Sequence, residues 1–270
     1  MQTSLNNSMA SPSTLGVSNA AAFGANLSII VLSGGFFDVG NNLSGYFAAA
    51  NPYAAGLSAF IFSLASVLLI LALSKAGSFS PGFIVLSGIA LGSVWSAATS
   101  VIQFYATDVG LSAAVIWTFG DLGRATYMTD LIMLAAVAPT VIVFMLMSWK
   151  FNALLGGDGT AISLGVNTSR LRFVSLLLAS VITALCVSAL GIIGFVGIIC
   201  PHIAKKLLGQ DHRLSVPASA LIGSLLLLCA DALSRIIGSG SALPVGAITS
   251  LLGAPLFIGI IIGKRRDGYA

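Results

Sequence analysis

The chain has 270 residues, of which 57% are hydrophobic and only 7% are charged, and its formal net charge is +4 at pH 7. A water-soluble domain carries about 25% charged residues, because it must present a polar surface to water. Together with a mean hydropathy of +1.03, this composition excludes a soluble globular protein and indicates a protein that lipid surrounds.

Apolar runs that could cross a bilayer, which takes roughly 20 helical residues, occur throughout the chain. Lipid forces such segments to be helices, because their backbone groups must be satisfied internally. The sequence therefore predicts an all-α, polytopic transmembrane bundle of about eight membrane segments. The sixth is short, and we expect Gly191 to Gly197 and Pro201 to break it. The segments are Thr14–Gly34, Tyr53–Ser74, Pro81–Tyr105, Met128–Trp149, Leu171–Ile193, Phe195–Leu208, Val216–Ile237 and Val245–Gly263.

Two glycine pairs, Gly88-x-x-x-Gly92 and Gly259-x-x-x-Gly263, have the spacing that lets helices approach closely in a membrane. The cysteines stand singly in apolar runs and lack the spacing of metal ligands or of a disulfide framework. We expect them to be small packing residues, and we predict neither a metal site nor a cofactor. They are Cys186, Cys200 and Cys229.

Lysines and arginines predict the orientation, because cytoplasmic loops are enriched in them. With a cytoplasmic N-terminus, Arg124 and Arg235 fall outside and the other ten fall inside. We therefore predict that both termini are cytoplasmic. Five aspartates lie toward the outside, at positions 38, 108, 121, 130 and 231.

The predicted spans are nearly free of charge, which disfavours a proton- or sodium-coupled transporter, since such proteins place ionisable groups near the membrane midplane. Asp231 and Arg235 are the exception, and they lie four residues apart on one predicted helix. Residues with this spacing can pair. A local ion pair that holds the helix end is one interpretation, and a functional role is the other.

Motifs that would indicate enzymatic chemistry are weak. Residues 259–265 contain Gly-Lys, but they lack P-loop spacing and lie in an apolar helix, so any ATP site must belong to another subunit. His202 and His212 flank a basic turn, and we interpret them as solvated loop residues rather than as metal ligands or a hydrolase base. We predict no catalytic residue and no enzymatic activity.

The longest polar connection on the predicted cytoplasmic side is Phe151–Ser169, within residues 150–170. It exceeds the usual length of a helix–helix connection. A short amphipathic helix with Ala161 and Leu164 on one face could form there, and the alternative is a flexible linker. The functional interpretation is a docking element for a cytoplasmic partner.

Motifs in order along essentially the whole chain resemble the FecCD-type permeases, the membrane subunits of importers for iron–siderophores, haem and cobalamin. The most specific are Gly194-Phe-Val-Gly-Ile-Ile-Cys-Pro-His202, Gly209-Gln-Asp-His-Arg213, Pro217-Ala-Ser-Ala-Leu-Ile-Gly223, Ala230-Asp231 with Arg235, Leu243-Pro-Val-Gly246 and Gly253-Ala-Pro255. The resemblance implies one permease domain over residues 1–270. Its signature and helix-break positions here are Gly194, Gly197, Pro201, His202, Pro244 and Gly246.

The resemblance also implies partners and a mechanism. Two permeases, as a homo- or heterodimer, would assemble with two cytoplasmic ATPases and an extracytoplasmic substrate-binding protein in the bacterial inner membrane, and move substrate by alternating access. Arg235 would face acidic residues of the binding protein, and Leu111–Tyr127 would form a short external gating helix. The positions that would receive the ATPase are Asp158, Ala161, Leu164 and Gly165.

Three departures from the family pattern stand out. Ala242 and Gly159 occupy positions where the family usually or often has glutamate. The family has ten spans, whereas this chain begins where the second should end, and Gln2 to Asn7 resemble the tail of that helix. We expect the first two spans to be missing, together with an arginine-bearing segment that helps to dock the binding protein.

The sequence thus predicts the permease subunit of an ATP-driven importer. An iron–siderophore complex is the first candidate substrate because it is the commonest in the family, and haem and cobalamin are the others. The alternatives are an ion-coupled secondary transporter and a fragment that inserts without transporting. We expect no nucleic-acid partner.

Overall fold

The computed structural model describes residues 1–33, 52–76, 79–237 and 243–266. The regular elements of these residues are helices, and Phe119 and Ile192 form an isolated parallel bridge. Residues 13–15 form a 3₁₀ turn before α1, residues 27–32 continue α1 as a π-helix, and residues 122–124 form a second 3₁₀ turn. The α-helices are α1 (Val17–Asn26), α2 (Pro52–Ala76), α3 (Pro81–Phe104), α4 (Asp108–Thr118), α5 (Tyr127–Leu146), α6 (Ser148–Leu155), α7 (Asp158–Ser163), α8 (Thr168–Leu190), α9 (Val196–Leu208), α10 (His212–Ile237) and α11 (Val245–Arg266).

Five helices in the described part of the chain, α2, α3, α5, α8 and α10, are long and apolar enough to cross a membrane. Val17–Leu32, Asp108–Thr118 and Val245–Pro255 are shorter apolar helices. Only 6% of the most apolar window of α5 is buried within the chain, so its surface requires lipid or another protein around it. The predicted all-α, polytopic transmembrane bundle is confirmed.

Single polar side chains fix where several helices begin. The hydroxyl of Thr107 accepts a hydrogen bond from the backbone N–H of Gly110 at the start of α4, and Asn167 does the same for Arg170 at the start of α8. Thr126 and Thr129 form a reciprocal capping box at the start of α5. Such caps satisfy backbone donors that the first helical turn leaves free.

Helix α1 packs against α2, α3 and α8 through small residues. A Cβ added at Gly88 would lie 2.8 Å from the Cα of Leu15, and one added at Gly16 would lie 3.0 Å from the Cα of Gly92. The predicted packing role of the Gly88-x-x-x-Gly92 pair is therefore confirmed. At Gly259, nothing in this chain lies within 4 Å of an added Cβ, so its predicted role in close helix packing stays a prediction.

The break before α9 lies within the first part of the predicted range, Gly191 to Gly197. Gly191 has a φ of 81° and Phe195 a φ of 64°, and the helix begins directly after them. The left-handed backbone at these two residues ends one helix and starts the next. Gly197 and Pro201, predicted as breaking residues, instead lie inside α9.

Long-range contacts define the two ends of the bundle. Residues 1–4, 148–172 and 205–213 contact one another at one end, which we call the basic end. Residues 117–124, 190–192 and 243–246 meet at the other, which we call the opposite end.

Candidate functional site

Two short helices, α6 and α7, form a hairpin at the basic end, which we call the short-helix hairpin (residues 148–166). Gly157 has a φ of 92° and turns the chain between them, a conformation that favours glycine. The hairpin has a small hydrophobic core of its own, so the alternative of a flexible linker is wrong. The buried residues of this core are Phe151, Leu154, Ala161, Val166 and Leu171.

The outer surface of the hairpin is apolar. Ala161 is fully buried, whereas Leu164 is 61% exposed and lies beyond the last residue of α7, Ser163. The prediction that Ala161 and Leu164 share one face is therefore wrong, because Ala161 packs inward. Exposed apolar side chains at a polar end of a protein are typical of a binding surface for another protein. They include Trp149, Leu155, Ile162 and Leu164.

Gly165 follows this surface and has a φ of 78°. Nothing lies within 4 Å of the Cβ that another residue would carry there. Within the chain, the position therefore needs glycine for its left-handed backbone and not for a close contact. A substitution here strains the turn without disturbing any neighbour in this chain.

Asp158 begins α7 and forms an ion pair with Arg172 in the first turns of α8. The Nη2 of Arg172 donates to Oδ1 of Asp158 at 2.5 Å, and its Nε donates to the backbone carbonyl of Ser4 at 2.7 Å. The Arg172 side chain is only 4% exposed, whereas that of Asp158 is 49% exposed. From the sequence, the charge of Arg172 indicated only the orientation of the chain, and this ion pair was not predicted.

His212, at the start of α10, is a second buried polar residue at the basic end. It is 6% exposed, so its interpretation as a solvated loop residue is wrong. Its Nε2 lies 2.7 Å from the hydroxyl of Thr3, and its Nδ1 lies 2.7 Å from Oδ1 of Asn152 on α6. The ring also lies 5.7 Å from that of Phe151. The same interpretation is wrong for His202, which lies half-buried within α9.

Asn152 connects α6 to the turn before α10. Its Nδ2 donates to Oδ1 of Asp211 at 2.8 Å, and its Oδ1 accepts from the backbone N–H of His212 at 3.0 Å. Hydrogen bonds from the backbone N–H of Arg213 and from Asn152 hold the pKa of Asp211 below its usual value. Both links tie the short-helix hairpin to the transmembrane helices that follow it.

At the opposite end, Gly120, Gly191 and Gly246 bring three chain segments together; we call them the glycine junction. The backbone N–H of Val245 donates to the carbonyl of Gly120 at 2.8 Å, and that of Asp121 donates to Leu190 at 2.9 Å. A Cβ at Gly246 would lie 2.6 Å from the carbonyl oxygen of Ile192. This contact explains why the Leu243-Pro-Val-Gly246 motif has a glycine at position 246. Helix α11 starts directly after Pro244 of this motif.

Gly194 packs against α11 in the same region. A Cβ there would lie 3.1 Å from the hydroxyl of Ser250. Gly197 has much more room, since its nearest atom is the Cδ of Pro12 at 3.9 Å. The two glycines of this motif therefore differ, and only Gly194 is held close to another helix.

The predicted external helix Leu111–Tyr127 exists with other bounds. Helix α4 starts at Asp108, because Thr107 caps it, and ends at Thr118. Arg124 then donates from Nη1 to the carbonyl of Trp117 at 3.0 Å and from Nη2 to that of Ile116 at 2.8 Å. The carbonyl of Ile116 also accepts from the backbone N–H of Phe119 at 3.3 Å, and a cation at the C-terminus of a helix complements the helix dipole.

Asp231 and Arg235 form the local ion pair that their spacing allowed. The Nε of Arg235 donates to Oδ2 of Asp231 at 2.8 Å, and its Nη2 donates to Oδ1 at 3.3 Å. The Arg235 side chain nevertheless remains 59% exposed. The pair therefore leaves part of the guanidinium open to a partner. Two positions of the sequence analysis, Asp38 and Ala242, lie outside the described residues.

A polar groove of about 540 Å³ runs between the start of α1 and α3. The spacing of Ser93, Ser96 and Ser100 places the three hydroxyls on one face of α3. Ser93 and Ser100 donate to carbonyls one turn back on their own helix, so they lie in an apolar helix without unsatisfied donors. The groove is also lined by Ser13, Thr14 and Asn19. The groove was not predicted, although the spacing of the serines could have indicated it.

The sequence profile of the FecCD transport family matches residues 1–263. The chain belongs to the FecCD transport family. The resemblance seen in the sequence motifs is thus confirmed over almost the whole chain.

Individual proteins that are similar to this chain are also named as permeases. The chain is 45% identical to a Methanocaldococcus jannaschii protein named "Putative ABC transporter permease protein MJ0087", and the match covers 97% of this chain and 74% of that protein. It is 35% identical to the hemin transport system permease protein HmuU of Yersinia pestis, over 99% of this chain and 77% of that protein. It is 33% identical to the vitamin B12 import system permease protein BtuC of Vibrio cholerae, over 97% of this chain and 75% of that protein.

A solved structure has the same fold. It is described as "An inward-facing conformation of a putative metal-chelate type ABC transporter", with a TM-score of 0.82 and 26% identity over 97% of this chain and 80% of that chain. This FecCD family member is therefore a multi-pass membrane protein and an ABC transporter permease. Proteins of this family are transport subunits and not enzymes.

Proposed function

We propose that the chain is the permease subunit of an ATP-driven importer for a metal chelate, and that it moves its substrate by alternating access while a separate subunit hydrolyses ATP. The observation that carries the proposal is the short-helix hairpin. Its surface is apolar and exposed, as at Ile162 and Leu164, whereas its inner side is bound to the bundle through Asp158 and Asn152. This arrangement suits a rigid element that receives a force from another protein.

The orientation follows from the same hairpin. In this proposal the basic end is cytoplasmic, where the ATP-binding subunits lie, and the opposite end faces outward. Arg235, which is exposed beside Asp231 at the opposite end, then contacts acidic residues of the substrate-binding protein. Two permease chains complete the translocation path, and the positive-inside distribution of lysine and arginine supports this orientation.

The groove favours a metal that arrives already chelated. The residues that line it are serine, threonine, asparagine, glycine, alanine and isoleucine, without a carboxylate, imidazole or thiolate among them. A free transition-metal ion would need such ligands. In a chelate the metal ion is already coordinated, so the protein needs to provide only hydrogen-bonding groups and space. An iron–siderophore is our first candidate substrate, and haem and cobalamin are the alternatives.

Reconstitution tests the proposal. The permease, with its ATP-binding subunit and its binding protein, is placed in liposomes, and uptake of radiolabelled ferric siderophore, haemin, cobalamin and ferric citrate is measured with and without ATP. We expect uptake of one of them that requires both ATP and the ATP-binding subunit. Uptake driven by a proton or sodium gradient without that subunit would instead identify a secondary transporter.

A further inference from the structure

The two polar links at the basic end converge on neighbouring residues. Arg172 binds Asp158 of α7 and the carbonyl of Ser4, while His212 binds Asn152 of α6 and the hydroxyl of Thr3. Each short helix is thus connected, through one buried side chain, to the same segment near the N-terminus. The convergence joins three regions that are far apart in the sequence.

This segment leads directly to the groove. Residues 4–13, which we call the strut, connect Ser4 to the first groove-lining residue, Ser13. Leu5 and Ala10 of the strut are buried in the same hydrophobic cluster as Leu15 and Val17. Because close-packed interiors transmit displacement instead of absorbing it, movement of Ser4 moves the start of α1 and one wall of the groove.

We propose that Arg172 is a positioning residue that transmits movement of the short-helix hairpin to the groove, through the carbonyl of Ser4 and the strut. The inference rests on the proposed function, since the ATP-binding subunit is what displaces the hairpin. Arg172 does not contact the substrate. It connects the hairpin, which the ATP-binding subunit moves, to the wall that the substrate meets.

The chemistry of the side chain suits this task. The planar guanidinium holds two acceptors, Asp158 and Ser4, at a fixed angle to each other, which a lysine ammonium on a flexible stem does not do. Ser4 is fully buried, and its hydroxyl also contacts that of Ser175 on α8 at 2.7 Å. The strut is therefore bound to the helix that carries Arg172 at two points, and the link has little freedom to slip.

Arg172→Lys tests the inference, because it keeps a positive charge in the buried site but cannot hold both acceptors. The matched control is Arg170→Lys, since Arg170 is exposed on the same helix. A reporter, Ser96→Cys, is placed in the groove of a variant whose native cysteines at 186, 200 and 229 are alanine. The measurement is the rate at which a thiol reagent modifies the reporter in the complex with its ATP-binding subunit, with and without ATP plus vanadate.

We expect nucleotide to change the modification rate in the reporter protein and in the Arg170→Lys control. Arg172→Lys should still co-purify with the ATP-binding subunit and hydrolyse ATP, but lose about fivefold or more of the nucleotide-dependent change, the lower range of coupling between sites. If Arg172→Lys responds as the control does, the inference is overturned. If the reporter protein itself binds no ATP-binding subunit or ignores nucleotide, the proposed function fails instead.

A second variant covers the case in which Arg172→Lys does not accumulate. Arg172→Gln removes the charge from the buried site and cannot hold both acceptors, Asp158 and Ser4, so we expect the same loss of response with the ATP-binding subunit still bound. If Arg172→Gln responds to nucleotide as the Arg170→Lys control does, the inference is overturned.

Discussion

At the opposite end, a glycine allows two chain segments to approach more closely than any side chain would permit. At Gly246, an added methyl would lie 2.6 Å from the carbonyl oxygen of Ile192, a backbone atom that cannot rotate away. At Gly259, on the same helix, the added methyl would meet nothing within 4 Å. Within α11, a close backbone atom therefore excludes a side chain at Gly246, whereas Gly259 has room for one.

Gly246→Ala should destabilise the protein by about 1 to 3 kcal/mol, the usual cost of overpacking. The matched control Gly259→Ala should be neutral or stabilising, because alanine favours a helix over glycine. Thermal unfolding in detergent, followed by tryptophan fluorescence, measures both. An unchanged melting temperature for Gly246→Ala would show that the glycine junction is less tightly packed than the structure has it.

Arg235 combines an internal ion pair with an exposed side chain, so its two roles need to be separated. Arg235→Glu places two carboxylates four residues apart and reverses the charge offered to a partner. We expect weaker binding of the substrate-binding protein, because like charges oppose association. A docking contact is also screened over about 8 Å at physiological ionic strength.

Binding of the substrate-binding protein to the reconstituted permease, measured at low and high salt, tests this expectation. A compensating acidic-to-basic change on that protein should partly restore the affinity. A purely structural Arg235 would show lower expression or stability without such rescue. Unchanged affinity and salt dependence would remove Arg235 from the docking surface.

Short elements carry the specific features of this fold. Helix α4 has a capping residue at each end, Thr107 before it and Arg124 after it. Arg124 lies outside the helix in sequence and still binds its last carbonyls. The position of α4 therefore depends on a side chain from the following 3₁₀ turn.

Arg124→Ala should loosen the C-terminal turn of α4, because it removes two charge-assisted hydrogen bonds whose net value is about 1.5 to 3 kcal/mol each. Hydrogen exchange followed by mass spectrometry should show faster exchange in α4 peptides and unchanged exchange in α5 peptides. Arg124→Lys, which can bind one carbonyl, should have an intermediate effect. Equal exchange in all three proteins would mean that packing alone holds α4.

The length and hydrophobicity of the spans predicted the helices, because lipid leaves an apolar chain few other choices. The bounds of α4 were missed, since one threonine at 107 sets its start. Arg172 and His212 were misread because their partners, Ser4 and Thr3, lie 168 and 209 residues away. A local pattern contains no signal for such contacts. The prediction that Pro201 breaks the helix was wrong, because a helix can contain proline.

At the scale of the whole molecule, the orientation proposed for the bundle can be tested with two exposed positions. Tyr127 is 97% exposed at the start of α5, and Arg213 is exposed in the first turn of α10. In a cysteine-free protein in intact cells, a membrane-impermeant maleimide should label Tyr127→Cys. It should label Arg213→Cys only after permeabilisation. The reverse pattern would invert the topology.

The contacts of Thr3 and Ser4 also impose an order on biosynthesis. Thr3 and Ser4 are synthesised before His212 and Arg172, which follow 209 and 168 residues later along the chain. The chain cannot close this network until most of its helices have been synthesised, and closing so long a loop carries an entropic cost. Until then, Thr3 and Ser4 lack these two partners. A buried Arg172 is therefore a mark of a finished molecule, which quality-control proteases could distinguish from an incomplete one.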